Sequence, residues 1–152
     1  MLKTKISLKA RALRYLSMRE HSRLELTRKL SPYVEEGDDL HAVLEWLENS
    51  KFLSDERFSE SLVHRRVARF GNHRILAELE SHRLNGEEIE KVKASLQETE
   101  VARAIDVLHR KFPFPPSDPE EKMKQSRFLS QRGFSGKAIR AAMIADRDVD
   151  ES

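Results

Sequence analysis

Between Phe52 and Leu84 the apolar positions recur every three or four residues, with polar residues between them. Phe58, Leu62, Val63, Val67 and Phe70 form one stripe, and Ile75, Leu76, Leu79 and Leu84 form a second, with Gly71 in the gap. A period near 3.6 predicts two amphipathic helices joined at a tight corner. Ser54 is placed to cap the first, and Asp55 and Glu56 put negative charge at its positive end. Gly71 is expected to end that helix in the left-handed conformation, and Asn72 to cap the next.

The same pattern extends in both directions. A first helix is predicted over Ser7 to Arg19, with Leu8, Ala12, Leu13, Tyr15 and Leu16 on its apolar side. Ser22 and Glu25 form a capping box for a helix carrying Leu26 and Leu30, which stops near Pro32. A third helix, Leu40 to Ser50, carries Leu40, Val43, Leu44 and Leu47, with Trp46 read as packing. Past the centre, Gly86 restarts a helix through Ile89, Val92 and Leu96, and a separate one is expected from Glu100 to Lys111. Pro113 to Pro119 reads as a stiff connector, and whether it serves as a hinge between the second and third units is left open by the sequence. Asp118 and Glu121 then form a capping box with Pro119 at the first helical position. Gly133 ends that helix, and Ser135 caps a last one carrying Ile139 and Met143.

Three corners superimpose. Ser22 leads by four and eight residues to Leu26 and Leu30, Gly71 to Ile75 and Leu79, and Ser135 to Ile139 and Met143, with Arg19, Arg69 and Arg132 just upstream. Strand-like alternation is absent. The expected fold is therefore all-α, with eight or nine helices in three tandem three-helix repeats over residues 1–53, 54–98 and 99–146, and a tail at 147–152. Small units of this kind bury their apolar faces by stacking, which gives an elongated, curved molecule.

Composition narrows the function. Charged residues make up 36% of the 152 and apolar ones 38%, so the core is thin and the surface ionic. The net charge of +2 conceals blocks: residues 1–33 hold nine Lys/Arg against two Glu, and residues 35–60 hold nine acids against two bases. No cysteine occurs, which excludes disulfide and thiol chemistry, and no apolar run approaches a membrane span. A cytoplasmic monomer is expected. No catalytic constellation, phosphate loop or metal-ligand spacing is present, so a non-enzymatic binding protein without cofactor or metal is expected.

The candidate contact residues are basic. Arg65 and Arg69 lie one turn apart, and Arg66 and Arg74 flank the same corner. Arg65 and Arg69 also fall near the line of Phe58 and Leu62, so either can serve the fold instead. Lys124, Arg127, Arg132, Lys137 and Arg140 make a second group, and Lys9, Arg11, Arg14, Arg19, Arg23 and Arg28 a third.

Phe52-Leu53-Ser54-Asp55-Glu56-Arg57-Phe58, Arg69-Phe70-Gly71, Ile75 and Glu78-Leu79 resemble the central motif of the RecX family. Tyr15-Leu16 with Ser22, Glu25, Leu26, Lys29 and Leu30 resembles that family's first repeat, and Phe128-Leu129 with Arg132-Gly133-Phe134-Ser135 and Ile139 its last. The motif positions Phe52, Leu53, Asp55, Phe58, Gly71, Ile75, Leu79 and Gly133 are structural ones. Departures are mild: the family often has Tyr at Phe52, Asn or Asp at Ser54 and Pro at Asn72. The resemblance implies a negative regulator of RecA recombinase. Such a protein binds the RecA filament on single-stranded DNA, inhibits ATP hydrolysis and strand exchange, and limits filament growth. Recombination, DNA repair and the SOS response are affected through that filament. The alternative reading is a direct DNA-binding module of helix-turn-helix type, using Asn72 to Leu84 in a groove. Against it stand Glu78 and Glu80 on that helix and the near-zero net charge.

Overall fold

The computed structural model describes residues 6–147, and the tail beyond lies outside them. Among the described residues there are eight α-helices, one 3-10 turn and no strand. They are α1 (Leu8–Met18), α2 (Arg23–Leu30), α3 (Leu40–Asn49), α4 (Asp55–Arg66), α5 (Asn72–Ser81), α6 (Gly86–Lys111), α7 (Pro119–Gln131) and α8 (Gly136–Ile144), with the 3-10 turn at Ser31–Tyr33.

The helix starts follow local chemistry. Ser7, Ser22, Asp39, Ser54, Asp118 and Ser135 each accept the N–H of the residue three positions on. At Ser22 the capping box is complete, since the Ser22 N–H donates back to Glu25 at 3.2 Å. At Asp118 it is not: Glu121 turns outward to accept the Ser117 N–H and hydroxyl.

Three hydrophobic clusters lie in chain order. The first joins Leu8, Ala12, Leu26, Leu30, Leu44, Leu47 and Leu53. The second joins Phe58, Leu62, Ile75, Leu79, Val92 and Leu96. The third joins Ala104, Val107, Leu108, Leu129, Phe134, Ala138 and Ala142. Each is a three-helix unit, and fully burying a Leu or Phe side chain contributes about 1.5–3 kcal/mol.

The structure departs from the sequence pattern at four places. First, α6 is one continuous helix of 26 residues, not two. Its first half serves the second cluster and its second half the third, so the expected boundary at 98/99 falls inside a helix. Glu100 occupies the buried stripe between Leu96 and Ala104. Second, Gly71 is not left-handed: with φ −83° and ψ 172° it is the N-cap of α5, while α4 has already ended at Val67. Asn72 is accordingly the first helical residue, not the cap. Gly71 is required instead by proximity, because a Cβ there would lie 2.3 Å from the Phe134 backbone nitrogen. Third, the buried face of α8 is rotated by one residue, so Ala138 and Ala142 are fully buried and Ile139 and Met143 only partly. Fourth, the connector runs between α6 and α7, both of the third unit, and is fastened there. Gln125 donates to the Phe114 carbonyl at 3.3 Å, and Arg147 donates to the Phe112 carbonyl at 3.0 Å and to Gln125 Oε1 at 2.7 Å. It is not placed to act as a hinge between the second and third units.

Candidate interaction surface

The second and third corners meet backbone to backbone. The Gly71 N–H donates to the Arg132 carbonyl at 2.8 Å, and the His73 N–H to the Gly133 carbonyl at 3.1 Å. Gly133 has φ +89°, and a Cβ there would meet Arg74 at 2.5 Å. Beneath the pair lies Glu100. Its Oε2 accepts the Asn72 N–H at 2.9 Å and the Ser135 N–H at 3.3 Å, and its Oε1 accepts the Ser135 hydroxyl at 2.6 Å. One buried carboxylate thus caps the starts of α5 and α8 together, where each helix dipole is positive. It stands in for the side-chain cap that Gly71 cannot supply. Arg103, one turn further on α6, donates to the Phe70 carbonyl at 2.9 Å and to Asn72 Oδ1. Burial lowers the Arg103 pKa from the usual arginine value.

This junction gathers three of the arginines that the sequence pointed to. The guanidiniums of Arg69, Arg74 and Arg132 lie 5.5, 4.1 and 5.7 Å from the Phe70 ring centroid. Arg132 also lies 5.0 Å from the Phe128 ring and donates to the Arg69 carbonyl at 3.4 Å. Guanidiniums stacked on rings keep their N–H edges free for an anion. Arg69, Arg110, Lys111 and Arg132 line one cleft of about 240 Å³ over Ala68, Val107 and Phe128, with no carboxylate in its wall.

Other candidates serve the fold or stand apart. Arg66 forms a two-pronged pair with Glu78 at 2.9 and 3.0 Å, which holds the Glu78 carboxyl below its usual range. Arg65 donates to the Ser61 carbonyl of its own helix at 3.4 Å. Lys124 lies 6.0 Å from the Phe112 ring and lines, with Arg127, a separate depression that also holds Asp118, Glu120 and Glu121. Lys137 and Arg140 are exposed on α8. In the N-terminal group, Arg19 pairs with Glu25 at 2.6 Å and Arg23 with Glu45 and Glu48 at 2.9 and 3.0 Å. Lys9 sits over Trp46 at 3.9 Å and Arg11 over Tyr33 at 3.6 Å. Arg110 and Lys111, in the last turn of α6, lie beside none of the three corners in the sequence. Only the fold brings them beside Arg69. Among the described residues no group of His, Cys, Asp or Glu could hold a metal ion, and no helix is long and apolar enough to cross a membrane.

Residues 98–143 match the profile described as RecX, third three-helix domain, and residues 9–47 match RecX, first three-helix domain. A protein named Regulatory protein RecX from Herbaspirillum seropedicae is 65% identical over 137 residues, covering 90% of this chain and 89% of its own. The chain belongs to the RecX family. Another RecX relative, from Herminiimonas arsenicoxydans, is 56% identical over 151 residues, covering 99% of this chain and 100% of its own. The crystal structure of RecX from Lactobacillus salivarius aligns with a TM-score of 0.74 at 20% identity, covering 90% of this chain and 92% of that one. That likeness extends to the fold. The matched RecX domains coincide with the first and third clusters, and the third begins at residue 98, inside α6.

Proposed function

We propose that this chain is a non-enzymatic negative regulator of RecA recombinase. It binds the RecA filament on single-stranded DNA, inhibits ATP hydrolysis and strand exchange, and limits filament growth. It thereby modulates recombination, DNA repair and the SOS response from the cytoplasm, as a monomer. The observation that carries this reading is the family: relatives at 65% and 56% identity bear the name of a regulatory protein. The basic corner around Phe70 supports it, because Arg69, Arg74 and Arg132 converge there from two units, none of them in an ion pair among the described residues. Among the sequence-derived contacts, Arg69, Arg74 and Arg132 are the strongest candidates, with Lys124, Arg127, Lys137, Arg140 and Arg65 flanking. Arg66 is already paired within the fold.

The helix-turn-helix reading is weaker. On α5, Asn72, Ile75 and Leu79 are buried, Glu78 is paired with Arg66, and Glu80 is exposed, which leaves a poor surface for a DNA groove.

The test is RecA ATP hydrolysis on single-stranded DNA, with this protein titrated well below the recombinase. Loss of hydrolysis at such ratios is the expected result, because a filament regulator acts on many subunits at once. Unchanged hydrolysis overturns the proposal.

A further inference from the structure

The connector between α6 and α7 is held by buried polar groups, yet it leaves its central side chain in solvent. Gln125, fully buried on α7, donates to the Phe114 carbonyl at 3.3 Å. Arg147 donates to the Phe112 and Phe114 carbonyls, and to Gln125 Oε1 at 2.7 Å. The Phe114 side chain is nonetheless 63% exposed. Proline restricts the same stretch from within. Pro113, Pro115 and Pro116 each fix φ at about −65°, and Phe112, Phe114 and Pro115 each precede a proline, which favours extended backbone. A single exposed apolar residue is ordinary. One that is locked between prolines and pinned at its own carbonyl by two side chains is preorganised.

We infer that Phe114 is a protein-docking knob, which seats with its flanking prolines in an aromatic-lined, cation-edged groove on the recombinase. Three features select that occupant. A stiff proline-bounded segment loses little conformational freedom on binding, and grooves lined by aromatic rings take such segments. A phenylalanine ring left in water has a large apolar area still to bury, which suits it to anchor a protein contact. Charge sets the rim. From Phe112 to Glu121 the chain holds Asp118, Glu120 and Glu121 and no Lys or Arg, and Asp118 and Glu120 are exposed. These carboxylates repel a phosphate backbone and match a groove edged with Lys or Arg. On α7 they share a depression with Lys124 and Arg127, but the connector itself carries no cation. The last cations before it, Arg110 and Lys111, line the cleft with Arg69 and Arg132 instead. The inference rests on reading the chain as a filament regulator, and it adds a contact to protein that is separate from the basic corner.

The experiment is the titration of RecA hydrolysis on single-stranded DNA, run with the parent chain and with Phe114→Ala. The substitution leaves the pinned carbonyls in place, because they belong to the backbone, and circular dichroism verifies that helicity is retained. The concentration for half-inhibition is expected to rise by about tenfold or more. Met123→Ala, which removes an apolar side chain 61% exposed on α7, leaves that value unchanged. Anisotropy of a fluorescent oligo-dT without recombinase separates protein contact from DNA contact, and Phe114→Ala matches the parent there. Equal inhibition by Phe114→Ala and the parent overturns this inference and leaves the filament reading standing, whereas a parent that does not inhibit overturns both. An equal rise with Met123→Ala overturns it as a general loss of apolar surface. Loss of oligonucleotide binding in Phe114→Ala overturns it in favour of base stacking. Self-association of the parent that Phe114→Ala abolishes overturns it in favour of a second copy of this chain.

Discussion

The two junctions between units are built from different materials. The second and third units share α6, pair their corners through backbone hydrogen bonds, and cap two helices with the single buried carboxylate of Glu100. The first and second units meet through side chains. Ser22 Oγ lies 2.8 Å from His82 Nδ1, and Arg57 donates to Glu20 at 3.0 Å and to the Lys51 carbonyl at 2.6 Å. Backbone bonds in a dry corner have fixed geometry and a high penalty for breaking. The exposed Arg57–Glu20 ion pair contributes little, typically below about 1 kcal/mol, and the half-buried Ser22–His82 hydrogen bond about 1 kcal/mol more. The second and third units therefore behave as one block, and the first is attached to it more loosely. The contact surface proposed above lies on the rigid side, where cations from separate segments hold a constant spacing.

The sharpest way to break this contrast is Gly71→Ala. Its Cβ would sit 2.3 Å from the Phe134 nitrogen and 2.4 Å from the Gly133 carbonyl carbon, and both are backbone atoms with no rotamer to escape into. A loss of more than about 3 kcal/mol is expected, read as a lower urea midpoint, with the second and third units failing together. Independent loss of only one unit would contradict the single-block description. Glu100→Ala comes next. It leaves the Asn72 and Ser135 N–H groups and the Ser135 hydroxyl without their acceptor, at a cost of about 2–4 kcal/mol in the same measurement.

Acid should act most strongly on the first unit, although the Arg66 guanidinium also holds Glu78 of the second unit below its usual range. Burial pushes the Glu25 carboxyl up, but the Arg19 guanidinium and the Ser22 N–H outweigh it and bring its pKa down to about 2. A carboxyl depressed in the folded state contributes stability above its unfolded value, near 4.5, and loses it as pH falls toward 2. Burial likewise lowers the pKa of His21, whose Nδ1 lies 3.0 Å from the Arg19 carbonyl and whose Nε2 lies 3.1 Å from the Lys29 ammonium. The unfolded chain binds that proton more readily, so stability is full above pH 6.5 and falls below it. Hydrogen exchange along an acid titration is expected to show α1 and α2 losing protection before α5 and α8. The reverse order would remove the basis for this assignment. The smallest effect belongs to Glu20→Gln, which weakens the Arg57 contact across the loose junction. Global stability should change by less than about 1 kcal/mol. Solution scattering should nonetheless show a broader distribution of positions for the first unit.

Much of the architecture was legible because its causes are local. The serine and aspartate caps at Ser22, Ser54, Asp118 and Ser135 act within one turn, so sequence spacing reveals them. The alignment of the three corners was legible in the spacing of Leu26 and Leu30, Ile75 and Leu79, and Ile139 and Met143, although at the second corner the cap proved to be Gly71 and not Asn72. The continuity of α6 was hidden by a charge. Leu96, Glu100, Ala104 and Leu108 form an unbroken stripe at four-residue spacing, but a glutamate in that stripe reads as a break in the apolar face. The candidate surface was half legible. Arg69, Arg74 and Arg132 stood out beside their corners, whereas Arg110 and Lys111 had no sequence neighbour to mark them.

What the sequence by itself determined is the number of units, those helix starts that a side chain caps, and the family, because short-range capping and 3.6-residue periodicity need no partner. What only the tertiary structure decided is why Gly71 must be glycine, why Glu100 can be buried, and which cations share a cleft. Each of these depends on groups some 30 to 60 residues apart being brought within a few ångströms, and no local pattern records that approach.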